Sequence, residues 1–265
     1  MARTLRIALA QLKCELLNKG YNLKRSIETI KEAKQKQADY VLFPELFLTG
    51  YIMNEQIKDL GETVEGESVQ AICACAKEYQ IGVIFGFPEK QDDCLYNSAV
   101  FINKNGEIVD VYRKTHLYHE EQKHFSSGDR CVVIETPEGK FGLLITYDLE
   151  FPEMARLLAL QGAEIIFILS ANMVPYQIYQ HAFVHSRAIE NHLFTAVTNK
   201  VGLHIDNIFF GESQVVAPDG KTIYKADNNE ILPVVEIDLE ETERSKGVLN
   251  YLSNRRPEFY RGHGL

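Results

Sequence analysis

Three short apolar runs, separated by two helical stretches, limit what this chain can fold into more than any other feature. LRIALAQL (5–12), DYVLF (39–43) and GVIFGF (82–87) read as strands. Between them, residues 22–37 place Leu23, Ile27, Ile30 and Ala33 on one helical face, and residues 68–79 read as a second helix. A β-α-β-α-β opening favours parallel pairing, with the helices packed outside the sheet.

The pattern then changes. Residues 98–102 and 108–112 flank Asn103-Lys104-Asn105-Gly106, a hairpin with an Asn-Gly turn. Residues 132–136 and 141–145 flank Pro137-Glu138-Gly139, a second hairpin. A helix near 153–160, a strand at 164–169, a helix near 177–191 and a strand at 194–198 follow. A third hairpin flanks Pro218-Asp219-Gly220, and 234–237 is the last clear strand. No linker, repeat or low-complexity segment interrupts the chain. The expectation is one α/β domain over 1–265, with two mixed sheets packed together and helices outside.

Composition narrows the function. A net charge of -9 and the absence of a clustered Lys/Arg run argue against a nucleic-acid partner. No apolar run approaches the ~20 residues that span a bilayer. The first residues run straight into a strand, leaving no room for a signal peptide. Five cysteines, Cys14, Cys73, Cys75, Cys94 and Cys131, are an odd number without a CxxC pair. They fit a reduced, cytoplasmic protein with no zinc site.

Three loci could carry chemistry. Glu45 ends an apolar strand in Phe43-Pro44-Glu45-Leu46, Lys114 follows a hairpin strand, and Thr146-Tyr147-Asp148 lies at a strand end just before a helix. Loops at strand ends of α/β proteins converge on one face. A carboxylate can take a nucleophile's proton, and a lysine cation can stabilise the oxyanion formed when a carbonyl or nitrile is attacked. The N–H of Tyr147 would be a second donor. Spacing alone fits ordinary strand-end polar residues better, since no single locus is specific.

The same residues resemble the nitrilase superfamily, the carbon–nitrogen hydrolases. FPELFLTGY (43–51) is similar to the family's general-base segment, YRKTHLY (112–118) to its lysine segment, and GLLITYDLEFPE (142–153) to its nucleophile segment, G-x-x-I-C-Y-D-x-x-F-P-E. Arg255-Arg256-Pro257-Glu258 is similar to the closing segment. The resemblance implies a four-layer α-β-β-α sandwich and a homodimer or larger homo-oligomer. It implies hydrolysis of a small amide, nitrile or N-carbamoyl amine without metal or cofactor. It assigns Glu45 as base, Lys114 as oxyanion partner and Glu121, beside Glu120, as a supporting glutamate. Asn172 either shapes the substrate pocket or is a plain turn residue. Residues 171–175 and 187–192 look most like the bacterial carboxamide amidase and nitrilase branch, which favours amides. Arg187 and Glu190 also fit a simple helix-surface pair.

The departure is at the nucleophile, where Thr146 stands in place of cysteine. A thiol ionises near about 8.5, whereas an aliphatic hydroxyl is closer to water, at ~15 to 16. Thr146 therefore needs a base at the moment of attack, and its methyl branch stiffens the side chain. Three explanations stand: a disabled hydrolase that still holds substrate, a working hydrolase with an oxygen nucleophile, or a binding or regulatory protein of the same fold. Glu153 and Asp148 complete the motif. The acyl group of the substrate is not legible, because loops 174–179 and 204–210 decide pocket shape.

Overall fold

The computed structural model describes residues 3–247 and 249–264. Its strands and helices follow the expected order. β1 (Thr4–Leu9), α1 (Lys19–Gln35), β2 (Tyr40–Leu42), α2 (Gln56–Leu60), α3 (Glu67–Tyr79) and β3 (Gly82–Gln91) open the chain. β4 (Cys94–Ile102), β5 (Ile108–Arg113), β6 (Val133–Glu135) and β7 (Lys140–Ile145) come next. α4 (Pro152–Leu160), β8 (Ile165–Ser170), α5 (Gln177–Asn191) and β9 (Phe194–Asn199) restore the α/β alternation. β10 (Val201–His204), β11 (Asn207–Phe210), β12 (Gln214–Val216), β13 (Thr222–Lys225) and β14 (Val234–Asp238) follow, and two short helices close the described chain.

Two six-stranded mixed sheets result, ordered β14-β1-β2-β3-β4-β5 and β13-β12-β9-β8-β7-β6. Each is built on the same plan. Three parallel strands form the centre, β1-β2-β3 in one sheet and β7-β8-β9 in the other. Antiparallel strands extend both sides. The central strands are buried on both faces, which explains their near-continuous apolar sequences.

The period-2 alternation sorts these side chains into two interiors. Ala8, Val83 and Phe85 face α1 and α3, where Ile30, Ala33, Val69 and Ile72 cover them. Leu5, Ile7 and Leu9, with Ile84 and Phe101, face the second sheet. Tyr40 and Phe141 meet edge to face across the two sheets at 5.3 Å, and Phe141 meets Phe167 at 5.4 Å. α4 and α5 cover the far side of the second sheet through Ala155, Leu158, Val184 and Ala188. The layers are therefore helix, sheet, sheet, helix, as the resemblance implied.

Two hairpins were not anticipated. β3 runs past residue 87 to Gln91 and turns at Asp92, whose φ of +52° is a left-handed conformation that Asp tolerates. β10 and β11 pair where the sequence showed only a loop. Their exposed side chains, Leu203, Ile205 and Ile208, carry no clear polar alternation.

Gly86 links this scaffold to the first candidate locus. A Cβ there would lie 2.6 Å from Pro44 O, 2.8 Å from Leu46 N and 3.1 Å from Glu45 Cα. These are backbone atoms, which cannot swing aside. Gly86→Ala is expected to cost about 1–3 kcal/mol, as overpacked interiors do, read as a lowered urea midpoint at unchanged slope.

Candidate active site

The site forms at the carboxyl ends of the central strands. After β2, Phe43 N still bonds to Ile84 O at 2.9 Å, and the chain then turns at Leu46, with φ +48°. After β7, Thr146 takes φ +27° and begins a short 3-10 helix, Thr146–Glu150. A positive φ is unusual for a β-branched residue and costs of order 1–3 kcal/mol. This turn directs the Thr146 side chain toward Glu45. The β7–β8 register pairs Ile145 with Leu169, bringing Thr146 beside Ala171. The β4–β5 register pairs Ser98 with Arg113, bringing Asn97 beside Lys114, whose N–H bonds to Asn97 O at 2.9 Å.

Glu45, Lys114, Glu121 and Thr146 meet in one network. Thr146 Oγ1 donates to Glu45 Oε2 at 2.6 Å and accepts from Ala171 N at 2.9 Å. Glu45 Oε1 accepts from Lys114 Nζ at 2.7 Å and from Asn97 Nδ2 at 2.6 Å. Lys114 Nζ also donates to Glu121 Oε1 at 2.7 Å. Glu121 accepts further from Tyr51 Oη at 2.8 Å and Tyr118 N at 2.9 Å. Lys114 is 1% exposed, and Glu45 and Glu121 are fully buried. Glu120 instead turns outward to Lys123, at 2.6 Å.

Electrostatics separate the roles. Burial alone would pull the Lys114 ammonium down, but Glu121 and Glu45 outweigh it and raise its pKa above that of an ordinary lysine. Lys114 is thus a lasting cation, suited to stabilising negative charge and unsuited to taking a proton. Burial pushes the Glu121 carboxyl up; Lys114 opposes this and the Glu45 charge adds to it. Burial and the Glu121 charge push the Tyr51 hydroxyl well up, so it remains a donor.

Asp148 is buried and serves as a brace. It accepts from Tyr112 Oη at 2.7 Å, Thr115 Oγ1 at 2.7 Å, His116 N at 2.9 Å and Ile145 N at 3.2 Å. It therefore ties the lysine segment to the Thr146 turn. Arg187 is corrected from a helix-surface residue to a buried one. Its Nε donates to Leu149 O at 3.0 Å and a terminal nitrogen to Glu150 O at 2.9 Å, while Glu190 takes another at 3.0 Å. The carbonyls at the end of the 3-10 helix need donors, and Arg187 supplies them. Glu153 is exposed in the first turn of α4, away from the network.

Sequence reasoning passed over Asn97, Tyr51 and Asn199. Asn199 Oδ1 accepts from Asn172 N at 2.8 Å and its amide donates to Asn172 O at 3.1 Å, holding the segment that carries Ala171 N. A polar amide inside an apolar strand, as in LYNSAVFI and FTAVTN, was the available signal, because a buried amide needs partners.

A cavity of about 250 Å³ opens on this network. Glu45, Lys114, Thr146, Tyr147 and Asn172 line it, together with Glu150, Ala171, Met173 and the rings of Tyr51, Tyr118, Tyr176 and Tyr179. Asn172 both lines the cavity and makes a local turn bond, since its Oδ1 accepts from Met173 N at 3.0 Å. None of the five cysteines lines it, and burial pushes the Cys75 thiol up to about 11. A wider, open groove of about 690 Å³ between β13 and β14 has no comparable convergence of base, cation and hydroxyl. Among the described residues, no group of three or more His, Cys, Asp or Glu side chains is placed to hold a metal ion.

A family model described as carbon-nitrogen hydrolase matches residues 6–246. An (R)-stereoselective amidase from Pseudomonas is 34% identical, covering 95% of this chain and 92% of its own. The structure of a carbon–nitrogen hydrolase from Helicobacter pylori superposes with a TM-score of 0.92 at 29% identity, covering 99% of this chain and 98% of that one. An amidase from Nesterenkonia, at 26% identity and TM-score 0.88, covers 97% of this chain and 96% of that one. A glutamate-to-glutamine variant of that enzyme shows covalent addition of the acetamide moiety of fluoroacetamide at its active-site cysteine.

The network predicts a pH-dependent penalty. Lys114→Met leaves two buried carboxyls facing each other and is expected to cost about 3–5 kcal/mol at pH 8. Glu121 already has a raised folded pKa. Stability from its neutral form is therefore present at low pH and lost as pH rises through that value. The deficit should shrink on acidification toward pH 5, measured by urea unfolding of both proteins at each pH.

Proposed function

We propose, from the premise that the chain belongs to the carbon–nitrogen hydrolases of the nitrilase superfamily, that its cavity binds a small carboxamide and that Thr146 holds turnover far below that of a thiol nucleophile. The observation that carries this reading is the buried Glu45–Lys114–Glu121 network with Thr146 Oγ1 bonded to Glu45 at 2.6 Å. A fixed cation aimed into a small cavity suits a developing oxyanion, and burying it requires the two carboxylates that hold it.

The chemistry follows from those contacts. Thr146 Oγ1 attacks the carbonyl carbon as its proton passes to Glu45. Lys114 and the Tyr147 N–H stabilise the oxyanion. The tetrahedral species collapses, Glu45 returns the proton to the departing nitrogen, and ammonia leaves an ester on Thr146. Water, losing a proton to Glu45, then adds to the ester carbonyl; the acyl–Oγ1 bond breaks, Glu45 returns that proton to Thr146 Oγ1, and the acid leaves. Ester formation is the slow step, because a hydroxyl is not ionised beforehand and must lose its proton during attack.

A fully working hydrolase, in which Thr146 with Glu45 as its base turns over as well as a thiol would, is the second reading, and the 2.6 Å bond favours it. A binding or regulatory protein of the same fold is the third. The continuous core shared by both sheets supports reading 1–265 as one domain. Exposed Leu157, Leu160 and Ile189 on α4 and α5 support a homodimer or larger assembly. The five free cysteines support a reducing, cytoplasmic location. No described helix is long and apolar enough to cross a membrane.

Ammonia release from acetamide, butyramide and the matching nitriles tests the proposal. Thr146→Cys should raise amide turnover roughly 10²-fold or more, since a thiol ionises far more readily. Equal, measurable turnover by both proteins would support the oxygen nucleophile. No turnover by either, with no amide binding, would sink the hydrolase reading. In the Thr146→Cys background, Glu45→Gln should remove about 10²–10⁴-fold of the rate, the usual share of a general base.

A further inference from the structure

The proposed reaction leaves Glu150 without a task. It ends the 3-10 helix that Thr146 begins and lines the same cavity. Its backbone is fixed, because Arg187 donates to Glu150 O at 2.9 Å. Its carboxylate makes no hydrogen bond or ion pair with any described residue. Burial pushes the Glu150 carboxyl up, while Lys114 and Arg187 pull it down. A bond to Tyr176, then burial, push the Tyr118 hydroxyl up to about 12, and the Glu150 charge adds to this. Glu150 and Tyr118 both line this cavity.

Much of the remaining lining is aromatic. Tyr118 meets Tyr147 edge to face at 5.3 Å and Tyr176 at 6.4 Å, and Tyr176 meets Tyr179 at 6.0 Å. Ring faces and an unpartnered carboxylate both attract a cation. Lys114, the cation among the described lining residues, is already held by Glu45 and Glu121. A purely apolar acyl group would strip water from Glu150 and return nothing to it. An acidic acyl group would meet like charge.

Resting on the amide-hydrolase reading, we propose that the acyl part of the substrate carries a protonated amine, seated between Glu150 and the tyrosine rings. The substrate class is then a small aminoacyl carboxamide, and Glu150 is its specificity determinant.

β-Alaninamide and butyramide are near-isosteric and differ chiefly in that charge, so their comparison isolates it. Ligand-observed NMR titration of the native protein at pH 7 should show β-alaninamide binding about tenfold more tightly, the effect of roughly 1.4 kcal/mol from a partly buried ion pair with a cation–π contact. The kcat/KM ratio of the two amides in the Thr146→Cys variant should follow the same order. Glu150→Gln keeps the shape and removes the charge, and should bring both ratios close to one. Equal affinity for both amides, unmoved by Glu150→Gln, would overturn the proposal while leaving amide binding intact. Failure of both amides to bind or react would overturn it together with the reading beneath it.

Discussion

Everything in the site is arranged around the burial of one lysine. A lone ammonium cannot be taken out of water without a large penalty, so Lys114 exists in this interior only because Glu45 and Glu121 each approach it to 2.7 Å. That constraint places the other groups. Glu45 commits one oxygen to Lys114 and Asn97, leaving the second for Thr146. Glu121 is in turn held by Tyr51 and Tyr118 N. The result is a cation that cannot act as a base, beside a carboxylate oxygen that can.

The two sheets explain how groups so far apart in the chain meet. Each has three parallel central strands, and the strand ends of β2, β5, β7, β8 and β9 deliver Glu45, Lys114, Thr146, Ala171 and Asn199 to one region. Two of these turns use residues in left-handed conformations, Leu46 and Thr146. Such backbone is costly, and here the strain is held by surrounding bonds: Asp148 and Arg187 fasten the Thr146 turn, and Asn199 fastens the facing segment.

Thr146 sits in this frame with its hydroxyl already committed, donating to Glu45 and accepting from Ala171 N. The geometry is that of an oxygen with a neighbouring base, so the difference from a thiol lies in the energy of losing the proton rather than in placement. The cavity wall adds a second asymmetry. Of the two carboxylates that line it, Glu45 is paired with Lys114, and Glu150 has no partner among the described residues.

Much of this was legible in the amino-acid order. Short apolar runs and amphipathic stretches identified the strands and helices, and helix 177–191 occupies the span its spacing indicated. Three dispersed motifs named Glu45, Lys114 and Thr146, and the choice of Thr at the third position sets how readily that side chain can give up a proton. Hairpin β10–β11 was not legible, because its exposed Leu203, Ile205 and Ile208 mimic neither a wet strand face nor a core. Only the resemblance favoured Glu121 over Glu120, and Arg187 could not be told from a surface residue, since the direction of a side chain depends on what packs against it. Asn97, Asn199 and Glu150 gain their meaning only from partners 27 to 52 residues away, or from the lack of one. Local order specifies which groups are available and how acidic they are in water. Register between strands and exclusion of solvent decide which of them meet, and at what charge.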